Sequence, residues 1–308
     1  MVHLPIAHVD IPTYVIPLIG LLIGAIGGFF GVGGGFLLTP LLHALFGISY
    51  PVAVGSGLSQ MAGLSASASV RHSYLGGIDY RLGLLCLVGA ALGAELGAQA
   101  LDGLDACGTV RIGAAPVPVE ALVMGAAYTI VLTWIAARVL QESRATRDAR
   151  DGTDEPHTAI ADRLRALRLR PCIALPASGI ASISVWGIVA VSFVSGLVSG
   201  FLGVGGGFIM MPAMIYAIGV PTVVAVGTSL FQMVFVSTYG AFSHALKGNV
   251  DPVLALLLLL GSVVGTQVGA GLTRRFDPAR VRAAFAYFIF LGVALVVGKL
   301  VQTLVTAG

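Results

Sequence analysis

The stretch Gly28-Phe-Phe-Gly-Val-Gly-Gly-Gly-Phe36 returns 172 residues later as Gly200-Phe-Leu-Gly-Val-Gly-Gly-Gly-Phe208, and each copy lies within a long apolar run. A glycine costs about 1 kcal/mol relative to alanine in a helix interior, so these glycines predict a break in the helix. Backbone without internal hydrogen bonds is tolerated at membrane depth only where it faces protein or a water-filled cavity. The sequence therefore predicts a duplicated membrane protein with two helix-breaking glycine loops.

The two copies stay in the same register well beyond the glycine loops. Identical residues also recur at polar and conformationally special positions, which apolar composition alone does not explain: Pro40 and Pro212, Gly55 and Gly227, Gln60 and Gln232, His72 and His244, and Asp79 and Asp251. Repetition over such a length predicts two homologous halves.

The composition excludes a water-soluble globule. Hydrophobic residues make up 57% of the chain and charged residues 10%, whereas soluble domains average about 25% charged residues. The mean hydropathy is +0.96. The arginines behind the net charge of +3 cluster beside apolar runs without an aromatic-rich basic face, which favours orientation in a membrane over a nucleic-acid partner. The three cysteines have neither metal-ligand nor redox spacing, so we expect no metal and no cofactor.

Apolar runs long enough to span a bilayer, about 20 residues each, define the predicted segments. They fall at 51–70, 82–100, 119–139, 222–243, 253–272 and 281–305, while two longer runs, 14–47 and 183–219, are each divided by a glycine loop. We predict an all-α integral membrane protein with about 8–10 transmembrane segments. It consists of two inverted-topology repeats of about five helical segments each, with glycine-broken helix hairpins.

A charged segment separates the halves and sets the predicted domain boundaries. Residues 1–140 form the first repeat, residues 141–171 a linker, and residues 172–308 the second repeat. Residues 160–170 of the linker place leucine and isoleucine on one helical face and arginines elsewhere. This pattern fits either a basic amphipathic helix on anionic lipid headgroups or a solvated helix.

The distribution of arginines predicts the orientation in the membrane. If the linker is cytoplasmic and each glycine-broken stretch returns to its own side, then Arg71, Arg81 and the arginines between positions 274 and 282 also face the cytoplasm. If each broken stretch instead crosses the membrane once, fewer arginines face the cytoplasm. We therefore predict inverted halves in the cell inner membrane, with the linker 141–171 in the cytoplasm.

The glycine loops are the first candidate binding elements. Inverted halves bring their broken helices together near the bilayer midplane, where free amides and helix N-termini offer partial positive charge to an anion. The alternative is a tight helix crossing that needs no side chain. The candidate substrate-binding glycines are Gly31, Gly33, Gly34, Gly35, Gly203, Gly205, Gly206 and Gly207.

Four polar side chains within the spans are further candidates. Gln60 and Gln232 fall near the middle of equivalent spans, and Ser56 and Thr228 lie one helical turn earlier on the same faces. An amide donates two hydrogen bonds to an oxyanion and a hydroxyl donates one. Hydrogen bonding between helices is the alternative role.

The remaining polar positions suggest other roles. Glu95 is the one acid well inside a span, and its counterpart is Gln267, so a proton-coupling role and placement in a hydrated vestibule are both open. His72 and His244 lie at matching span ends, where capping or interfacial hydrogen bonding is expected. Asp79 and Asp251 each precede a helix and are predicted first-turn or N-cap residues.

Motifs of known enzymes are missing from the sequence. It contains no HExxH, no GxSxG and no P-loop, and the glycine segments lack the strand and the downstream acid that a dinucleotide site requires. We predict no catalytic residues and a transporter or permease rather than an enzyme.

The paired GxxGxGGG segments at 28–35 and 200–207, with Pro40, Pro212 and the Gly55/Gln60 and Gly227/Gln232 pairs, resemble the TauE/SafE or sulfite exporter family of membrane permeases. The resemblance covers nearly the whole chain outside the linker. It implies an inner-membrane transporter of a small sulfur oxyanion or organosulfonate, such as sulfite, sulfoacetate or sulfolactate. We predict export of this anion by alternating access, driven by protons or by the membrane potential. Uptake of a sulfur oxyanion and a non-transporting assembly partner or enzyme are the alternatives.

Overall fold

The computed structural model describes residues 2–30, 35–74, 76–106, 108–112, 115–148, 169–202 and 207–273, and helical residues at 284, 286–287, 289–294 and 296–298. The first half begins with a hairpin of β1 (Val2–Leu4) and β2 (Val9–Ile11). Its helices and second hairpin follow in the order α1 (Val15–Phe30), α2 (Gly35–Phe46), α3 (Tyr50–Tyr74), α4 (Tyr80–Ala106), β3 (Thr109–Ile112), β4 (Ala115–Pro118) and α5 (Val119–Asp148).

The second half repeats this order. A hairpin of β5 (Cys172–Leu175) and β6 (Ile180–Ser184) precedes four α-helices, with a short π-helix, Met214–Ile218, after the second of them. The α-helices are α6 (Val185–Leu202), α7 (Gly207–Ala213), α8 (Thr222–Leu246) and α9 (Pro252–Thr273). Both α1 and α6 end before the glycine segments, and α2 and α7 begin at the last glycine of each, so the predicted division of the two long apolar runs is confirmed.

Five helices in the described ranges are long and apolar enough to cross a membrane: Tyr80–Leu104, Leu122–Gln141, Val185–Leu202, Val223–Leu246 and Pro252–Gly269. The shorter apolar helices include Val15–Phe29, Leu37–Phe46 and Ile209–Ile218. The predicted all-α integral membrane fold is confirmed. Helix α3 has the length to span but not the hydropathy, because it is rich in serine and glycine. Most of its first five turns are buried by neighbouring helices.

The first helix of each half packs against a helix of the other half. Helix α1 lies along α9, and its counterpart α6 lies along α4. A Cβ atom at Gly24 would overlap the carbonyl oxygen of Ser262, and one at Gly196 would overlap that of Ala90. These two contacts join equivalent positions in opposite halves, as a two-fold relation requires. Glycine at these positions lets the backbones of the crossing helices approach closely.

Helices α3 and α8 are equivalent, and they pack against each other in antiparallel directions. Gly55 of α3 contacts His244 of α8. Leu58 lies about one turn later in α3, and it contacts Gly240, which lies one turn earlier in α8. Equivalent helices that run antiparallel are expected of inverted repeats. The inverted orientation of the halves in a bilayer stays a prediction.

Three short antiparallel hairpins were not predicted from the sequence. Strands β1 and β2 bury Leu4 and Ile11 completely or nearly so, Val2 and Val9 pack partly buried against the same core, and His3 and Asp10 are exposed. Hairpins β1–β2 and β5–β6 occupy equivalent positions before the first helix of each half. Strands of three to five residues are too short for a clear alternation signal.

The predicted domain boundaries at 140 and 171 stay predictions. Helix α5 continues to Asp148, so the end of the first repeat extends as helix into the predicted linker. Residues 149–168 lie outside the described residues, and with them lies nearly all of the predicted amphipathic helix at 160–170.

Candidate functional site

The centre of the bundle is the antiparallel pair α3 and α8, which carries the two candidate glutamines. Gln60 is 0% exposed and Gln232 is 3% exposed. The residues that follow them, Met61 and Met233, share one buried cluster with Ala68 and Leu230. The packing of equivalent helices therefore brings both glutamines to the interface between the halves.

The amide of Gln60 has no hydrogen-bond partner at either polar atom among the described residues. The Gln232 amide donates from Nε2 to the carbonyl oxygen of Cys86 at 3.3 Å, and its Oε1 atom has no partner there. Leaving a buried donor or acceptor unpaired costs about 1–3 kcal/mol. Interhelical hydrogen bonding, the alternative role, thus accounts for one atom of Gln232 and for neither atom of Gln60.

Helix α2 packs on α3 beside this amide. Gly35, the first residue of α2, lies against the Met61 side chain, so that a Cβ atom would overlap its sulfur. The side chains of Leu38 and Thr39 lie 3.5 and 3.8 Å from the Cβ position of Gly57. The glycine loop of the first half therefore leads into α2, and α2 begins in contact with Met61, the residue that follows Gln60.

Gly35 and Gly207 are the two candidate glycines that the structure describes. They are the first residues of α2 and α7, where the first amides of a helix have no intrahelical partner. The other six, Gly31, Gly33, Gly34, Gly203, Gly205 and Gly206, lie outside the described residues.

Ser56 and Thr228 each accept a hydrogen bond from the opposite half. The main-chain N–H of Asp251 donates to the Ser56 hydroxyl oxygen at 3.0 Å, and the N–H of Asp79 donates to that of Thr228 at 2.9 Å. Both hydroxyls are 0% exposed. Each oxygen thus fastens a helix start, while its O–H remains a donor, so the predicted substrate contact stays a prediction.

Asp79 and Asp251 are N-cap residues, as the sequence predicted. The Asp79 carboxylate accepts from the N–H of Leu82 at 3.1 Å, and the Asp251 carboxylate accepts from the N–H of Val253 and of Leu254 at 3.1 Å each. Both aspartates are buried without a cation partner in the part of the chain that the structure describes. Their charge is stabilised by main-chain amides at the positive ends of α4 and α9.

The second oxygen of each aspartate holds the tip of a hairpin. Ile6 and Ala7 donate main-chain N–H groups to Asp251 Oδ2 at 2.9 and 3.2 Å, and the Ser178 hydroxyl donates to Asp79 Oδ2 at 2.7 Å. Sequence analysis missed these contacts because it missed the hairpins. Ile6 and Ser178 are separated by the repeat offset, so they occupy equivalent positions in the two hairpin tips.

Glu95 lies away from the glutamines, where α4 meets α8. Its Oε1 atom accepts from Gln99 Nε2 at 2.9 Å, and its buried Oε2 atom has no partner among the described residues. The hydroxyl of Tyr239 on α8 interacts with the same carboxylate. Its counterpart Gln267 accepts from Arg71 at 2.6 Å and donates to Ser67 at 3.1 Å.

The two histidines at matching positions have different surroundings. His244 is 1% exposed, and neither ring nitrogen has a partner among the residues described. His72 has interacting groups and is partly exposed. Across the described ranges, no three His, Cys, Asp or Glu side chains gather in a way that could hold a metal ion.

The comparisons with known proteins agree with this architecture. Residues 16–296 match the family model described as sulfite exporter TauE/SafE. The chain is 27% identical over 277 residues to the probable membrane transporter protein YunE of Bacillus subtilis, covering 87% of this chain and 90% of the relative. It is 28% identical over 274 residues to the probable membrane transporter protein YjnA of the same organism, covering 89% and 95%.

A plant relative matches over a shorter stretch. The sulfite exporter TauE/SafE family protein 3 of Arabidopsis thaliana is 35% identical over 96 residues, which are 31% of this chain and 20% of the relative. No solved structure matches the chain significantly.

Proposed function

The chain belongs to the sulfite exporter TauE/SafE family, and on this premise we propose that it exports a small sulfur-containing anion, sulfite or an organosulfonate such as sulfoacetate or sulfolactate, by alternating access. The family resemblance predicted from the sequence is confirmed, and the chain is a multi-pass membrane transporter rather than an enzyme. The substrate, the direction and the site are the proposal.

The observation that carries the proposal is the amide of Gln60, which is fully buried at the interface between the halves and has no hydrogen-bond partner among the residues that the structure describes. A site that keeps two donors and an acceptor without partners loses about 1–3 kcal/mol per group in the empty state. A bound oxyanion recovers the share of the two N–H donors by accepting their hydrogen bonds. The free Oε1 of Gln232 accepts from a protonated oxygen of the substrate or from a water that accompanies it.

Neutral donors suit a substrate that must leave again. Within the described ranges, the buried polar residues include neither lysine nor arginine. Hydrogen bonds from neutral amides to an anion contribute about 1.5–3 kcal/mol each, which is enough to replace part of its hydration. A permanent cation in the same low-dielectric site would hold the anion much more strongly. Weak binding by neutral amides therefore favours release of the anion after each transport step.

The remaining candidates complete the proposed site. The glycine loops at 31–35 and 203–207 supply main-chain N–H groups, and Ser56 and Thr228 supply O–H donors beside the glutamines. The position of Gly35 against Met61, next to Gln60, supports this role for the first loop. An inside-negative membrane potential favours outward movement of an anion by about 2.3 kcal/mol per charge per 100 mV, so export needs no further coupling ion. Glu95 remains the proposed residue for coupling to protons.

Efflux from liposomes tests the proposal. The purified protein is reconstituted into liposomes loaded with radiolabelled sulfoacetate, whose sulfonate group stays charged and does not cross lipid unaided. We expect rapid efflux under an inside-negative potential, and retention of the label by a protein in which Gln60 and Gln232 are both replaced by leucine. Gln141→Leu, at an exposed position on α5, is the matched control and should behave as the wild type.

Two outcomes would contradict the proposal. Equal retention with and without protein for sulfite, sulfoacetate and sulfolactate would exclude these substrates. Full efflux through the double leucine variant would exclude the glutamine site while leaving the transported substrate in place. Net accumulation from outside against the same potential would indicate an uptake permease instead.

A further inference from the structure

A shallow pocket of about 460 Å³ opens where α3 meets α9, away from the buried glutamines. Ser67, Val70, Arg71, Tyr74 and Gln267 line it. Arg71 is half-buried, and Tyr74 and Gln267 are exposed, so the pocket is accessible from one end of the bundle. It is thus an open surface pocket whose lining does not include the glutamines.

Hydrogen bonds within the protein fix the arginine but do not neutralise it. The Nη1 atom of Arg71 donates to Gln267 Oε1 at 2.6 Å, and Gln267 Nε2 donates to Ser67 Oγ at 3.1 Å. The ion pairs found in the described ranges, His3 with Asp10 and Lys247 with Asp102, do not involve Arg71. Most of the five guanidinium N–H donors and the Ser67 O–H are therefore available to a ligand.

The equivalent position of the other half has the opposite charge. At the repeat offset, Gln267 corresponds to Glu95, Ser67 to Tyr239 and Arg71 to Ser243. Glu95 interacts with Tyr239 across the α4–α8 interface, as Gln267 does with Ser67 across the α9–α3 interface. Two contacts between equivalent positions therefore have an arginine without an ion-pair partner among the described residues in one half and a carboxylate in the other.

We propose that the Arg71 pocket is a capture site for the oxyanion, from which the substrate passes to the buried glutamines, and that the Glu95 side is the release side. This inference rests on the proposed function and adds a second anion site to it. A planar guanidinium with an adjacent hydroxyl matches the oxygens of a sulfonate or sulfite group. A carboxylate at the opposite mouth lowers the local concentration of anions and so disfavours rebinding there.

Lipid phosphate has the same chemistry as a free oxyanion, so an anionic headgroup is the competing occupant. The free anion is favoured because Arg71 is held inward by Gln267 and Ser67, whereas an arginine that serves the headgroups extends along the surface. The two occupants differ in one measurable respect, since only the free anion protects Arg71 in the absence of anionic lipid.

Chemical protection of Arg71 tests the capture site without depending on transport. Phenylglyoxal modifies free guanidinium groups, and modification of Arg71 is followed by mass spectrometry of peptides from protein in neutral detergent. We expect sulfoacetate to slow modification of Arg71 and not of Arg81, an exposed arginine outside the pocket. The same protection should persist when Gln60 and Gln232 are both leucine and transport is lost.

Transport kinetics supply the second measurement. We expect Arg71→Gln to raise KM about fivefold at low ionic strength with an unchanged maximal rate, as expected of one half-exposed charge, and Arg71→Lys to fall between. The difference should nearly vanish at about 0.5 M salt, where the Debye length is about 4 Å. Arg81→Gln is the control.

Specific results overturn the capture site and leave the proposed function intact. In the kinetic measurement, a KM for Arg71→Gln equal to that of Arg81→Gln is such a result. In the protection measurement, such results are equal protection of both arginines and loss of Arg71 protection in the double leucine variant. Protection of Arg71 by phosphatidylglycerol but not by sulfoacetate is another. Protection of Arg71 by sulfoacetate in a protein that transports no sulfonate would instead contradict the proposed function while leaving an anion site at Arg71.

Discussion

The main-chain N–H of Asp251 donates a 3.0 Å hydrogen bond to the hydroxyl of Ser56, which fastens the start of α9 in the second half to the buried part of α3 in the first. Asp79 and Thr228 repeat this contact with the halves exchanged, at 2.9 Å. Each half therefore completes the N-terminus of a helix in the other. The interface that would have to rearrange during alternating access is built from these reciprocal contacts.

Asp251→Ala should destabilise the protein strongly. The carboxylate accepts four main-chain N–H groups, from Ile6, Ala7, Val253 and Leu254, and the substitution removes the acceptor of one buried and three part-buried hydrogen bonds. Loss of an N-cap and of buried acceptors costs about 3 kcal/mol or more, which we expect to lower Tm in detergent by roughly 5 °C or more.

Two comparisons make the Asp251 prediction specific. Asp79→Ala should cost less than Asp251→Ala, because among the described residues the Asp79 carboxylate accepts two hydrogen bonds, from Leu82 and Ser178. Asp10→Ala, in an exposed contact with His3, should change Tm little, since exposed ion pairs contribute about 0–1 kcal/mol. Equal effects at all three positions would contradict the proposed importance of the hairpin contacts.

Gln60→Met should stabilise the protein while reducing transport. The substitution keeps the length of the side chain and removes two buried polar atoms that have no hydrogen-bond partner in the described ranges. We expect a gain of about 1 kcal/mol, or roughly 2–4 °C in Tm. Gln232→Met should gain less, because it also removes the bond to Cys86. A fall in Tm for Gln60→Met would show that its amide has a structural role.

The repeat offset made much of the packing predictable. Gly24 and Gly196 had to contact equivalent partners once two homologous halves were inferred, and they do so at Ser262 and Ala90. The two N-cap aspartates were predictable for a local reason, since the signal for a helix start lies within a few residues.

Contacts between the halves were not predictable in the same way. The sequence predicted that Gln60 is buried near the centre of a span, but not that its amide lacks a partner, because that depends on every neighbouring helix. The bond between Arg71 and Gln267 joins residues 196 positions apart, and nothing local to either residue predicts it. The hairpin tips were missed because strands of three to five residues leave almost no periodic signal.

Glu95→Gln tests proton coupling. The substitution reproduces the residue found at the equivalent position 267, and an amide can keep the contacts with Gln99 and Tyr239, so the variant should insert and fold normally. If Glu95 carries the proton, we expect sulfonate flux in proteoliposomes to lose its dependence on an imposed pH gradient while retaining its dependence on membrane potential. An unchanged pH profile would exclude coupling through this residue.

Gly24→Ala should impair folding more than its cost in helix propensity explains. Alanine is the better helix former, but its methyl group would overlap the backbone of Ser262 where α1 crosses α9. We expect a lower yield of folded protein and a lower Tm. Gly103→Ala, in α4 with no atom within 4 Å of its Cβ position, is the control and should be neutral or stabilising by about 0.5–1 kcal/mol.

The inverted orientation of the halves predicts labelling from opposite sides of the membrane at Tyr74 and Leu246. These residues stand at the repeat offset, at the ends of α3 and α8, and are 86% and 74% exposed. With the linker in the cytoplasm, Leu246→Cys should react with an impermeant maleimide in intact cells, and Tyr74→Cys only after permeabilisation. The background replaces the three native cysteines with serine: Cys86, Cys107 and Cys172. Reaction of both introduced cysteines from the same side would contradict the inverted repeat, and with it the two-mouth arrangement in which Arg71 and Glu95 face opposite compartments.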